Sequence, residues 1–135
     1  MSLMKSQIID VFTDLNKLKH NGIHFSGEEW EGEYKRWWKN GKLFRHCFYI
    51  DKEKRKGEFK QWHSSGKLFV HSFYNNEGKR EGEYKKWHHN GQLNIHCFYN
   101  GKDEYKGEYK SWHDNGKLWK HEIYNDDGSL KEIIV

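Results

Sequence analysis

The chain repeats itself with a fixed period of 25 residues. A stretch that begins at Gly32, GEYKRWWKNGKLFRHCFY, returns in altered form at Gly57, Gly82 and Gly107 without one insertion between the copies. A fixed period of this length is typical of repeat proteins, in which each unit packs on its neighbours. The sequence therefore constrains the architecture closely and the activity very little.

Several residues hold the same place in all four copies, and three of these columns concern us first. A tryptophan, a glycine in the central turn and a leucine just after it recur in every copy, and we interpret these three columns as structural. The columns are Trp37, Trp62, Trp87 and Trp112; Gly41, Gly66, Gly91 and Gly116; and Leu43, Leu68, Leu93 and Leu118.

Each copy predicts a β-hairpin. Two aromatic-rich runs flank Asn40-Gly41 in the first copy, and Asn-Gly between such runs is a strong hairpin signal. A two-residue turn would place Trp38 opposite Leu43, whereas a three-residue loop ending in a left-handed Gly41 would place Trp37 there. We prefer the second register because it pairs two invariant columns.

Two strands per copy predict an all-β fold, a single-layered antiparallel meander or twisted solenoid of tandem β-hairpins. The chain has no proline that would interrupt strand pairing. We expect one repeat domain over residues 1–135, with residues 7–31 forming either a degenerate capping repeat or a short amphipathic helix. The predicted repeats are 32–56, 57–81, 82–106 and 107–131, followed by a terminal strand at 132–135.

The composition is that of a folded, soluble protein. Aromatic residues make up 17% of the chain, which separates it from disordered chains of similar charge, and the net charge of +4 arises from intermixed acids and bases. No apolar run approaches the roughly 20 residues of a membrane span, and no signal peptide is evident, so we expect a cytoplasmic location.

The two cysteines occupy one repeat position two copies apart. At about 4.8 Å per strand, Cys47 and Cys97 should lie roughly 19 Å from each other, far beyond disulfide range. We expect both to be free thiols that act as small core residues.

The pattern G-E-Y-x-x-W-x-x-N-G-x-L, followed by an aromatic strand and a polar turn, resembles the MORN-variant repeat. The resemblance covers Gly32 to Tyr124, and similar tandem aromatic repeats occur in giant DNA viruses of amoebae and in some bacterial proteins. It implies an elongated, single-layered hairpin array that serves as a scaffold for protein interaction or contacts membrane lipid. It also implies no catalytic residues, and for a viral member the location would be the host cytoplasm.

Histidine is the residue that most suggests chemistry. One column is complete, and the other is interrupted by Trp38, but equivalent residues in successive hairpins should stand about 10 Å apart, too far to share a zinc ion. We therefore predict no metal site and no cofactor. A second hypothesis is that the complete column gains charge together on mild acidification and loosens the array. The columns are His46, His71, His96 and His121, and His63, His88 and His113.

The acidic residues do not predict an enzyme. Glu33, Glu58, Glu83 and Glu108 recur beside a lysine column, which is most simply a charge ladder. Acid–base catalysis needs two carboxyl groups in unlike environments, whereas identical repeats provide identical ones. We expect a non-enzymatic chain.

Binding is better supported, because a thin sheet cannot bury both faces and leaves aromatic side chains accessible. We expect a protein partner, with single-stranded nucleic acid or anionic lipid as alternatives and an end-to-end homodimer through the unpaired sheet edges as a further prediction. Residues that vary at fixed positions could encode partner choice. They are Arg36, Gln61, Lys86 and Ser111, and Trp38, His63, His88 and His113.

Overall fold

The computed structural model describes residues 8–10, 24–26, 29–51 and 53–135. Within these residues the protein is all-β, and each repeat forms a hairpin, as predicted. The strands are β1 (Ile8–Asp10), β2 (His24–Ser26), β3 (Glu29–Trp38), β4 (Leu43–Asp51), β5 (Lys54–Arg55), β6 (Gly57–Trp62), β7 (Leu68–Tyr74), β8 (Glu81–Trp87), β9 (Leu93–Asn100), β10 (Gly107–Trp112), β11 (Leu118–Tyr124) and β12 (Leu130–Ile133).

Ten of these strands form one antiparallel meander. Its order is β1-β3-β4-β6-β7-β8-β9-β10-β11-β12, while β2 pairs with β3 and β5 pairs with β4. The four repeats supply the hairpins β3–β4, β6–β7, β8–β9 and β10–β11. The predicted fold class is therefore confirmed for the described part of the chain.

The hairpin turns follow from the Asn-Gly signal. In the first hairpin, the Trp38 N–H donates to the Lys42 carbonyl at 2.7 Å, and the Gly41 N–H donates to the Trp38 carbonyl at 2.9 Å. Gly41 has a φ of 87°, a left-handed conformation that favours glycine, and Trp37 lies opposite Leu43. The other three hairpins place the equivalent tryptophan opposite the equivalent leucine, so the three-residue loop is confirmed.

Strand pairing divides the side chains between two faces, because paired residues share a face and successive residues alternate. A β-bulge between Arg36 and Trp37 leaves Phe44 unpaired and interrupts the alternation, so Phe44 and Arg45 lie on the same face. The inner face carries Tyr34, Arg36, Trp38, Phe44, Arg45, Cys47, Tyr49 and their equivalents in the other repeats. The outer face carries Glu33, Lys35, Trp37, Leu43, His46, Phe48 and their equivalents.

The buried core lies on the inner face, and that face opens in the fourth repeat, where His113 and Trp119 are exposed. Burial is described for residues 32–51 and 53–135. Among these residues, every buried side chain lies on the inner face. Aromatic rings pack together in this core, with Trp38 edge-on against Phe44 at a centroid distance of 4.7 Å. The buried residues are Tyr34, Trp38, Phe44, Cys47, Tyr49, Phe59, His63, Ser72, Cys97, Tyr99 and Ser111.

Both cysteines belong to this core. Cys47 and Cys97 are free thiols and are completely buried, which confirms the prediction. Burial raises the pKa of the Cys97 thiol to about 12, so it is a poor nucleophile at neutral pH.

The two ends of the sheet differ from the internal repeats. Ile8–Asp10 pairs with β3, while residues 11–23, on which the choice between capping repeat and helix depends, lie outside the described residues. At the other end the strand is Leu130–Ile133, two residues earlier than expected, and Val135 still exchanges backbone hydrogen bonds with His121. Leu130 and Ile133 expose apolar side chains on this strand. The end-to-end homodimer stays a prediction.

Candidate functional site

The residues predicted to contact a partner lie on the inner face. Arg36, Gln61 and Lys86 are half-buried there and Ser111 is fully buried. In the second column, Trp38 and His63 are buried, His88 is half-buried and His113 is exposed.

Three of the predicted residues are buried in the structure. Trp38, His63 and Ser111 are 1%, 5% and 2% exposed, so they offer a partner almost no surface, and their part in binding stays a prediction. Their positions vary between copies, yet the variation lies within the core.

The second of these columns ties each repeat to the next. The Trp38 indole donates from Nε1 to the Trp62 carbonyl at 3.2 Å. The His63 and His88 rings donate from Nε2 to the carbonyls of Trp87 and Trp112, at 3.3 and 2.9 Å. One signal could have revealed this role, because only rings that carry an N–H group occur in this column.

His63 introduces a pH dependence into the core. Burial lowers its pKa; the hydrogen bond to Trp87 opposes the shift, and the nearby His89 ring, 4.1 Å away between centroids, adds to it. A histidine with a lowered pKa contributes stability above its ordinary pKa near 6.5, and this contribution is lost as the pH falls towards the lowered value.

We expect the wild-type protein to lose more thermal stability between pH 7.5 and 5.5 than the variant His63→Trp. Tryptophan, the residue of the same column in the first repeat, keeps the N–H donor and does not titrate. The measurement is the melting temperature of both proteins across this pH range. Parallel pH profiles would contradict the assignment to His63.

The outer face presents the invariant columns. Its tryptophans are half-buried in all four repeats, and the leucines are half-buried except for Leu118, which is exposed. Phe48, Phe73 and Phe98 form a further half-buried row. The outer face thus offers the tryptophan and leucine columns in every repeat and a phenylalanine in the first three, where the fourth has Ile123. Its aromatic rings are partly open to solvent.

The complete histidine column lies on this face, and each ring approaches a glutamate. His46 meets Glu33 at 2.7 Å, and the equivalent pairs in the next two repeats are 2.8 and 2.9 Å apart. In the fourth repeat His121 and Glu108 are 3.9 Å apart. Each ring of this column therefore has a carboxylate as its neighbour, and the loosening on acidification stays a prediction.

The contacts with histidine also change the pKa values of the glutamates in the two middle repeats. The hydrogen bond from His71 lowers the pKa of Glu58, and that from His96 lowers the pKa of Glu83. Carboxylates with a lowered pKa contribute stability above their ordinary pKa near 4.3, which is lost as the pH falls through the lowered value. Their effect therefore lies below the range in which His63 acts.

The lysine column neutralises the same acids. Lys60, Lys85 and Lys110 approach their glutamates at 3.8, 3.8 and 3.5 Å. Acidic and basic side chains thus alternate on the outer face, and the positive charge is not concentrated in one groove.

Arginine side chains among the inner rings are a feature that the sequence reading missed. The Arg55 guanidinium lies 4.8 Å from the Phe59 ring centroid, and that of Arg80 lies 4.5 Å from the Tyr99 centroid. Such cation–π contacts let a sheet with few aliphatic residues accommodate cations in its inner layer.

The described residues contain no cluster of three or more His, Cys, Asp or Glu side chains that could hold a metal ion. The same part of the chain contains no helix that is long and apolar enough to cross a membrane.

Comparison with known proteins identifies one family. The sequence model of the MORN repeat variant matches residues 30–51, 55–76, 80–100 and 105–126, which is more than half of the chain and covers each of the four hairpins. Curated proteins and solved structures give no match.

Proposed function

Because the chain belongs to the MORN repeat variant family, whose repeats generally mediate protein interactions, we propose that it is a non-enzymatic cytoplasmic scaffold that binds a protein partner on its outer face. The proposal places the binding surface on the invariant columns. It moves the surface away from the variable inner positions that the sequence suggested.

The division between the two faces carries this proposal. All buried side chains of the described repeats lie on the inner face, whereas the outer tryptophans and phenylalanines remain partly open. Partly exposed aromatic side chains in a contiguous array are typical of protein interfaces. Phe48 and Glu58, which both belong to this face, also line a groove with a volume of about 510 Å³.

The charges of the outer face favour a protein partner over the two alternatives. Nucleic acid and anionic lipid both require concentrated positive charge, which strengthens their binding at low salt. Here each lysine of Lys60, Lys85 and Lys110 has a glutamate within 4 Å, so the aromatic rows run beside a balanced charge ladder. We rank single-stranded nucleic acid and anionic lipid below protein for this reason.

The test is affinity capture from native lysate with wild-type protein and with the double variant Phe73→Lys and Phe98→Lys. These phenylalanines lie opposite Glu58 and Glu83, so the new lysines gain an acidic neighbour in the fold. We expect partner affinity to fall at least about tenfold, since a buried aromatic anchor contributes more than about 1.4 kcal/mol to an interface.

The control variant carries the same added charge at two exposed turns, Ser64→Lys and Gln92→Lys. Lysine already occupies the equivalent positions in other repeats, at Lys39 and Lys67 for example, so these changes should leave both fold and binding unaltered. Equal capture by the outer-face variant and by wild type would contradict the proposal. Capture that nuclease or moderate salt abolishes would favour nucleic acid.

A further inference from the structure

Two equivalent arginines on the inner side of the sheet differ in their partners. Arg55 and Arg80 lie 25 residues apart, in the connections that follow the first and second hairpins. Arg80 donates to Oδ1 of Asp103 from Nε at 3.2 Å and from its backbone N–H at 2.7 Å. It also donates from Nη1 to the Tyr99 hydroxyl at 3.1 Å.

Arg55 makes the tyrosine contact but lacks the carboxylate. Its Nη1 lies 3.5 Å from the Tyr74 hydroxyl, the counterpart of the Tyr99 contact. The position equivalent to Asp103 is Gly78, which has no side chain to offer. The buried Nε of Arg55 has no hydrogen-bond acceptor, and it is the same atom through which Arg80 holds Asp103.

A cavity lies beside both Arg55 and Gly78. It has a volume of about 250 Å³ and is lined by Tyr49, Glu53, Arg55, Tyr74 and Gly78. Gly78 and Asp103 share a left-handed backbone, with φ values of 79° and 61°. Gly78 therefore has the backbone conformation from which Asp103 reaches Arg80, and a Cβ added at Gly78 would lie 3.1 Å from the Cβ of Lys54, so an aspartate there requires Lys54 to shift slightly.

We propose that the cavity beside Arg55 binds a carboxylate group, which takes the place that Asp103 takes beside Arg80. The ligand is either a free small carboxylate or the side chain of an aspartate on a partner protein. A guanidinium held between aromatic rings presents its N–H groups in a fixed direction, and charge-assisted hydrogen bonds to a carboxylate are the strongest that it makes.

Glu53, which lines the cavity, weakens the binding of a carboxylate at this site. It contributes negative charge without forming an ion pair with Arg55 among the described residues, so it opposes an incoming carboxylate. The variant Glu53→Gln should therefore bind more tightly than wild type. The site lies on the inner side of the sheet and does not depend on the outer face proposed above for a protein partner.

The test follows the Nε–H resonances of the arginines by NMR during titration with sodium acetate, against sodium chloride at equal ionic strength. We expect a saturable acetate shift at Arg55 and none at Arg80, whose Nε already has an acceptor. A blocked tripeptide, Gly-Asp-Gly, used as a second probe, distinguishes an aspartate side chain from a free carboxylate. Saturation by either probe supports the site.

Two reciprocal variants complete the test. Gly78→Asp should abolish the shift at Arg55 by supplying the carboxylate within the chain. Asp103→Gly should open the equivalent site and make Arg80 respond, at a position whose backbone glycine adopts readily. No saturable shift with either probe, or an Arg55 response that persists in Gly78→Asp, would overturn the proposal.

Discussion

Replacement of Trp38 by alanine is expected to lower the free energy of unfolding by roughly 3–5 kcal/mol, the usual cost of removing a large aromatic side chain from a core. Trp38 is 1% exposed, packs edge-on against Phe44 and donates a hydrogen bond to the next repeat. Its loss leaves a cavity and an unpaired carbonyl at the same junction. Because a domain of this size has roughly 5–15 kcal/mol of stability, the variant should be only marginally folded.

Trp119→Ala is the matched control, because it removes the same side chain from a position that is 56% exposed. Its cost should stay below about 1 kcal/mol. Trp38→His, which installs the residue found at this position in the other three copies, should cost less than the alanine change because the ring and its N–H group remain. Urea denaturation followed by far-UV circular dichroism measures all three, and equal costs for the two alanine variants would contradict the core assignment.

The architecture could be predicted because the same hairpin pattern occurs four times in the sequence. The constant spacing, the Asn-Gly turns and the paired tryptophan and leucine columns indicated the hairpin and its register, and the structure confirms both. The buried cysteines followed from the same periodicity. Each of these properties depends only on the residues of a single repeat or on the constant spacing between repeats.

The identity of the buried face could not be predicted in this way. Alternation separates two sets of side chains, but in a single-layered sheet both sets contain aromatic rings. We took constant residues as structural and variable ones as exposed, whereas the structure places constant Trp37 on the half-open face and variable Trp38 in the core. The core tolerates variation because the tie between repeats requires only a ring with an N–H donor.

The Arg55 cavity was also beyond the sequence reading. It depends on a contact between residues 23 positions apart, in connections whose conformation the hairpin pattern does not specify. The Arg80–Asp103 hydrogen bond shows that Arg55 lacks a carboxylate partner, because the position equivalent to Asp103 is Gly78. A comparison of the copies position by position could have shown the unmatched aspartate, but not that it reaches the arginine.

The assignment of the buried core to the inner face, and of a partly exposed surface to the outer face, underlies the proposed binding site. Two neighbouring residues test it, because Cys97 lies on the inner face with 0% exposure and Phe98 lies on the outer face opposite Glu83. A lysine at position 97 would bury an unpaired charge in a fully packed place that Arg80 already makes positive. A lysine at position 98 would reach solvent and an acidic neighbour.

The most direct measurement is therefore the urea denaturation of Cys97→Lys and Phe98→Lys beside the wild-type protein. We expect Cys97→Lys to lose roughly 3–5 kcal/mol of stability, or to fail to fold, through its buried charge and the overpacking of a small site. Phe98→Lys should lose about 1 kcal/mol and keep its cooperative transition. Equal losses, or a greater loss at Phe98, would contradict the assignment of the two faces and the binding surface built on it.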